Sequence, residues 1–204
     1  MSNPSIKLLT IALVLALTGC GGANIKRAEQ LQVGLPELQE RVLVISPEGR
    51  AEYAAAVALL RNNQPYEARA ALQQVIERHP QIPGAYLNLA LLDFHEGFDD
   101  SARSRVNKAL ELLPRNAAAY NLSGTLYRRE GKFRQAWEAY SLALAVDDSY
   151  APAHLNLAIL FDIYLQYWID ARTHYQRYLE LTGEDEKVSL WLQDLDRRIK
   201  RAGG

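Results

Sequence analysis

An all-α fold of stacked helix–turn–helix units is predicted by three features of the sequence. Residue types recur with a period of 34: Pro80 and Pro114; Ala68, Ala102 and Ala136; Ala56, Ala90, Gly124 and Ala158; Tyr86, Tyr120 and His154; Leu72, Val106 and Tyr140. Several interleaved ladders sharing one period mark an internal repeat. Between them, apolar and small residues recur at helical spacing, as over 121–127, while Gly97 and Gly131 punctuate the chain at the same period. A two-helix unit cannot bury its apolar faces alone, so neighbouring units must stack.

The first 19 residues read as a targeting segment. Lys7 is followed by an uncharged apolar run over 8–17. That run is too short for a membrane span, which needs about 20 residues. It ends in Leu17-Thr18-Gly19-Cys20, which resembles the lipobox of bacterial lipoprotein signal peptides. The resemblance implies cleavage before Cys20 and acylation of that cysteine. Cys20 is the single cysteine, so neither a disulfide nor a thiol metal site is expected. The alternatives are a buried free cysteine, or a plain signal peptide in which Cys20 is incidental. In lipoproteins an Asp after the Cys retains the protein in the inner membrane. Gly21 stands there, which implies the outer membrane of a Gram-negative bacterium, facing the periplasm. Acyl chains contribute about 0.8 kcal/mol per buried methylene, so a multiply acylated Cys20 is a lasting anchor.

Residues 20–46 form a tether. Gly21-Gly22 opens it, Gly34-Leu35-Pro36 breaks it, and a short lead-in helix over 36–43 is expected with Pro36 at its first position.

Four units follow between 47 and 182, with bounds 49–82, 83–116, 117–150 and 151–182. The third carries Tyr120, Gly124, Tyr127, Gly131, Ala136, Tyr140 and Ala143. The second carries Tyr86, Ala90, Gly97, Ala102, Ala109 and Pro114. The first keeps Ala56, Ala68, Leu72 and Pro80. On these residues 49–182 resembles tetratricopeptide repeats (TPR), which implies a curved helical solenoid. Three departures stand out. Glu52 occupies the first unit's aromatic position, and Asp148 replaces the third unit's proline. The fourth unit keeps Ala158, Phe161 and Tyr175 but places its next small residue at Ala171, one residue late, so an insertion is expected in the turn around 165–169. Tyr164, Tyr167 and Trp168 are expected to be exposed there, and Tyr120 to be buried between helices. After Thr182-Gly183, a helix over 186–200 places Val188, Trp191, Leu192, Leu195 and Ile199 on one stripe. Together with the tail to 204 it reads as the C-terminal capping helix that a solenoid requires.

Composition and motifs exclude several functions. A net charge of −1 gives no basic footprint for nucleic acid. No G-x-S-x-G or H-E-x-x-H occurs, and His79, His95, His154 and His174 fall in different helices. His154 reads as core, and Asp93, Glu96, Asp99 and Asp100 as solvated flanks of a turn. No catalytic residue, metal, cofactor or small-molecule substrate is expected.

The TPR resemblance implies a concave face lined by the first helix of each unit. Its positions are Arg50, Tyr53, Val57, Leu60 and Arg61; Leu87, Asn88, Leu91, Phe94 and His95; Asn121, Thr125, Arg128 and Arg129; and Leu155, Asn156, Ile159 and Asp162. Asn side chains can pair with both the N–H and the C=O of an extended peptide. Arg61, Arg128 or Arg129 can hold a carboxylate. The carboxylate clamp of chaperone-type TPR domains is incomplete, because Tyr53 and Leu87 replace basic residues. An alternative is that segment 27–45 packs on this face. The sequence thus predicts a lipid-anchored periplasmic adaptor for a protein or peptide in an envelope assembly, of the pilus, secretion or TonB type. The rival classes are a structural scaffold with no groove ligand and a periplasmic enzyme.

Overall fold

The computed structural model describes residues 26–28 and 43–203. Cys20, segment 1–19 and residues 36–42 of the expected lead-in helix lie outside the described residues, and Leu43 is not helical. The helices are α1 (Pro47–Arg61), α2 (Pro65–Arg78), α3 (Pro83–Glu96), α4 (Asp99–Leu112), α5 (Ala117–Arg129), α6 (Phe133–Val146), α7 (Ala151–Ile159), α8 (Trp168–Thr182) and α9 (Glu186–Gly203). The chain from α7 continues into a π-helical segment, Leu160–Leu165. Among the described residues there is no strand.

Local chemistry starts these helices. The side chains of Ser46, Asn116 and Asp185 accept the N–H groups of Gly49, Ala119 and Val188, each at 3.0 Å. Pro47, Pro65 and Pro83 hold first positions, where a missing N–H costs nothing. Each turn inside a pair reverses through one left-handed residue: Asn63, Gly97, Gly131 and Gln166. Successive helices are antiparallel, so these four turns share one edge of the solenoid and the turns between pairs share the other.

Those left-handed residues are spaced by 34, 34 and 35, which locates the fourth unit's extra residue. The turn expected to hold it does not. Leu160–Leu165 absorbs it by winding one extra residue into the helix, and the Tyr167 N–H closes on the Phe161 carbonyl at 2.9 Å.

The sequence ladders are the core. Ala56, Ala68, Leu72, Ala90, Ala102, Val106, Ala136, Tyr140 and Ala158 are all buried. Tyr120 is not: it is half-buried against Ala117, Ala143 and Ala153, and Tyr140 holds the centre with no exposed surface. Gly124 makes room for that ring, since a Cβ there would stand 2.5 Å from Tyr140 Cδ1. Of the fourth-unit aromatics, Tyr164 is exposed as expected and the other two depart from expectation. Tyr167 and Trp168 pack into the core around Phe161 and Trp137, leaving Ile163 and Tyr164 at the surface.

Asp93 also departs from expectation, being buried rather than solvated. It accepts from Arg69 and Ser101, each at 2.6 Å, and pairs with Arg105 at 2.7 Å, tying α2, α3 and α4 together. Burial alone would raise its carboxyl, but Ser101, Arg69 and Arg105 outweigh burial and hold it below the ordinary range.

His154 is core, as its position in the repeat predicts, and it meets His174 with the Nδ1 atoms 2.9 Å apart. His154 Nε2 lies 3.0 Å from the Asp148 carbonyl and carries the proton, so its Nδ1 accepts from His174 Nδ1–H. Burial, and secondarily the neighbouring His154, hold His174 down to about 4.

Candidate protein-binding groove

The face shared by α1, α3, α5 and α7 collects the predicted side chains. Leu87 is half-buried against the second-unit core, Leu91 is exposed, and His95 is exposed with its ring edge-on to Phe94 at 5.7 Å. Asn88 Nδ2 donates to the Tyr53 hydroxyl at 3.0 Å. That hydroxyl fits because Gly84 has no side chain; a Cβ there would meet it at 2.3 Å. One unit further on, Asn156 Nδ2 donates to Asn121 Oδ1 at 2.9 Å. The amides are therefore laterally paired rather than wholly free. Asn121 keeps its NH₂ and Asn156 keeps carbonyl lone pairs, one donor and one acceptor side by side.

Thr125 is committed inward. It donates to the Asn121 carbonyl at 3.0 Å and accepts from the Tyr140 hydroxyl at 3.2 Å, so its part is to fix α5 on α6. The arginines divide sharply. Arg129 donates to the Phe94 carbonyl, pairs with Asp99 and lies 3.8 Å over the Phe94 ring, which removes it as a carboxylate holder. Arg128 is half-buried and has no ion-pair partner among the described residues. Its charge acts on the hydroxyls of Tyr140 and Tyr175, lowering both against the rise imposed by burial. Arg61 is exposed at the far end, at the close of α1.

Leu155 and Ile159 pack half-buried on the fourth-unit core. Ile159 also lines a largely apolar cavity of about 400 Å³ with Ile163, Tyr175 and Trp191, rimmed by Asp162, Asp194 and Arg198. Buried Asp162 takes Arg198 at 2.7 Å, and Arg198 Nε reaches Asp194 at 3.1 Å. Burial, followed by the Asp162 charge, pushes the Tyr175 hydroxyl well above its usual range. Trp191, Asp194 and Arg198 were not predicted for this face, since α9 read as a cap alone. The missed signal is that Arg198 stands 36 residues after Asp162, close to one repeat. The cap therefore lies as a further first helix and extends the groove. Of segment 27–45, Ala28 packs on the fourth-unit core and Ile45 on the first-unit core; residues 29–42 lie outside the described residues.

No family model matches the chain. Protein O-mannosyl-transferase TMTC1 is 25% identical over 152 residues in Mus musculus and 23% identical over 184 residues in Homo sapiens. Those matches cover 72% and 88% of this chain, which spans only 16% and 21% of the length of the two relatives. Among solved structures, PilF of Pseudomonas aeruginosa matches with a TM-score of 0.67 at 20% identity, covering 75% of this chain and 69% of that one. TTC0263, a thermophilic TPR protein of Thermus thermophilus, matches at 0.62 and 20%, covering 75% and 84%. The first TPR of Spaghetti (RPAP3), bound to the HSP90 peptide SRMEEVD, matches at 0.55 and 23%, covering 58% and 95%. Helix order, the 34-residue register and these likenesses agree: the chain folds as a tetratricopeptide-repeat solenoid capped by a ninth helix.

Proposed function

We propose that the chain is a lipid-anchored adaptor that binds an extended protein segment along the face formed by α1, α3, α5, α7 and α9. The anchor is Cys20, the location is the periplasmic face of an outer membrane, and the partner belongs to an envelope assembly of the pilus, secretion or TonB type. The activity is binding rather than catalysis. The observation that carries the reading is the alignment of three features on one face: the Asn121–Asn156 pair, the unpaired Arg128, and the apolar cavity beside Ile159. A peptide laid there finds backbone partners, a cation for a carboxylate, and a pocket for an apolar side chain. The peptide bound to RPAP3 supports the mode of use, and the likeness to PilF supports the setting.

The test is co-purification from detergent-solubilised envelope with Asn121→Ala and Arg128→Ala variants, using circular dichroism as a fold control. Both variants should stay helical and lose partner. Two folded variants that retain every wild-type partner would remove the groove from the proposal. The anchor is tested separately by metabolic labelling with a palmitate analogue, which Cys20→Ser should abolish.

A further inference from the structure

The described part of the tether docks far along the solenoid from the helix it leads into. The Ala28 N–H donates to Asp170 Oδ2 at 2.8 Å, and Ala28 packs on the fourth-unit core. Asp170 lies in the first turn of α8, on the edge that carries the turns inside the helix pairs. Contacts run along that edge from unit to unit. Arg129 spans from the third unit to Phe94 and Asp99, and Phe133 meets Tyr164 at 4.7 Å. The edge also carries large apolar side chains in solvent: Tyr66 at 81% exposed, Phe98 at 59%, Ile163 at 61% and Tyr164 at 45%.

The two edges differ in charge where the tether docks. Lys26 and Arg27 stand exposed beside Asp170 and have no ion-pair partner among the described residues. The opposite edge of the third and fourth units carries exposed Asp147, Asp148, Glu184 and Glu186 against the two bases Arg115 and Lys187. From Cys20 to Ala28 the chain can reach at most about 29 Å, at 3.6 Å per residue. An anchor at Cys20 therefore keeps the edge with Ile163 and Tyr164 close to the bilayer. Phe98 stands between exposed Glu96 and Asp100, so the stretch that suits the interface of an anionic bilayer is that of Ile163 and Tyr164, in the unit where Lys26 and Arg27 dock and aromatic and apolar side chains meet bases rather than carboxylates.

We propose that the solenoid edge bearing Ile163 and Tyr164 rests on the membrane surface, leaving the acidic edge directed away from it. This rests on the Cys20 anchor proposed above. Ile163 and Tyr164 on this edge, and Leu113 and Asp148 on the opposite one, would each be replaced singly by benzoylphenylalanine in the full lipidated chain. The proteins would be reconstituted in vesicles of phosphatidylethanolamine with phosphatidylglycerol as the minority lipid, then irradiated. Lipid adducts at positions 163 and 164 should exceed those at 113 and 148 by tenfold or more. Equal yields on the two edges, or an excess at 113 and 148, overturn the proposal. The mass of the N-terminal peptide reports acylation independently. Where Cys20 carries no acyl group, coupling its thiol to a maleimide lipid restores a tether at the same atom. The comparison is then read as before, so a failed anchor and a failed orientation give different results.

Discussion

Asn156 gives its side-chain amide to the side-chain carbonyl of Asn121 at 2.9 Å, so two residues 35 apart in sequence form one polar unit across the α5–α7 interface. Each orients the other, and what remains is a fixed NH₂ on Asn121 beside a fixed carbonyl on Asn156. Their effects on partner binding are therefore coupled. Asn121→Ala and Asn156→Ala should each weaken binding several-fold. The double variant should fall short of their sum by at least about 0.5 kcal/mol in a double-mutant cycle. Strict additivity in titrations against the purified partner would mean that the amides act separately.

Arg128 and Arg129 are adjacent and should fail in different ways. Arg128→Ala removes a cation with no internal ion pair. It should leave the melting temperature nearly unchanged while weakening a carboxylate-dependent complex tenfold or more, from about 1.5–3 kcal/mol for a lost charged hydrogen bond. Arg129→Ala removes the link from α5 to Phe94 and Asp99 and should cost stability, about 1 kcal/mol for a cluster about one-third exposed and partly screened by solvent. Thermal melts with affinity measurements on both variants separate the two roles.

What the sequence revealed depends on what kind of interaction fixed each feature. The repeat was legible because close packing permits only small residues at Ala56, Ala90, Gly124 and Ala158, and steric limits of that kind print directly into residue type. Tyr120 misled because two ladders each place an aromatic residue in the third unit, and residue type alone does not say which ring takes the centre beside Gly124. Asp93 was unreadable because its partners Arg69 and Arg105 lie on other helices. Residue type likewise could not say that Arg129 is already used and Arg128 is not. The π-helical segment left a trace, the one-residue delay of Ala171, but a delay does not say where the extra residue is wound in.

Gly124 is required by Tyr140, so Gly124→Ala should destabilise despite the better helix propensity of alanine. The new Cβ would fall 2.5 Å from a fully buried ring, and overpacking of this kind costs about 1–3 kcal/mol. Tyr140→Ala should cost about 3–5 kcal/mol, and half-buried Tyr120→Ala less. Urea denaturation of the three variants checks the order.

The pair of buried His154 and half-buried His174 predicts an acid-sensitive α7–α8 contact. His174 is held to about 4 in the folded chain against an ordinary value of 6.5, so the unfolded chain binds the extra proton across that interval. Its contribution is complete above pH 6.5 and is lost as pH falls from 6.5 towards 4. The limit is about 3 kcal/mol, from 1.36 kcal/mol per unit. His174→Phe should flatten the fall in melting temperature over that window, while its melting temperature at pH 8 shows any packing cost separately. A variant whose pH profile stays parallel to wild type would mean that other groups set the acid sensitivity.

Binding along the face of α1, α3, α5, α7 and α9 places the partner in contact with some positions of the solenoid and not others. Site-specific photocrosslinking in intact cells tests it most directly, with benzoylphenylalanine in place of Leu91 or Ile159 in the groove and of Gln73 on the second-helix face. A discrete protein adduct is expected from positions 91 and 159, none from 73, and the adduct at 159 should be lost when Arg128→Ala is added. Adducts from position 73 with none from 91 and 159 would contradict it.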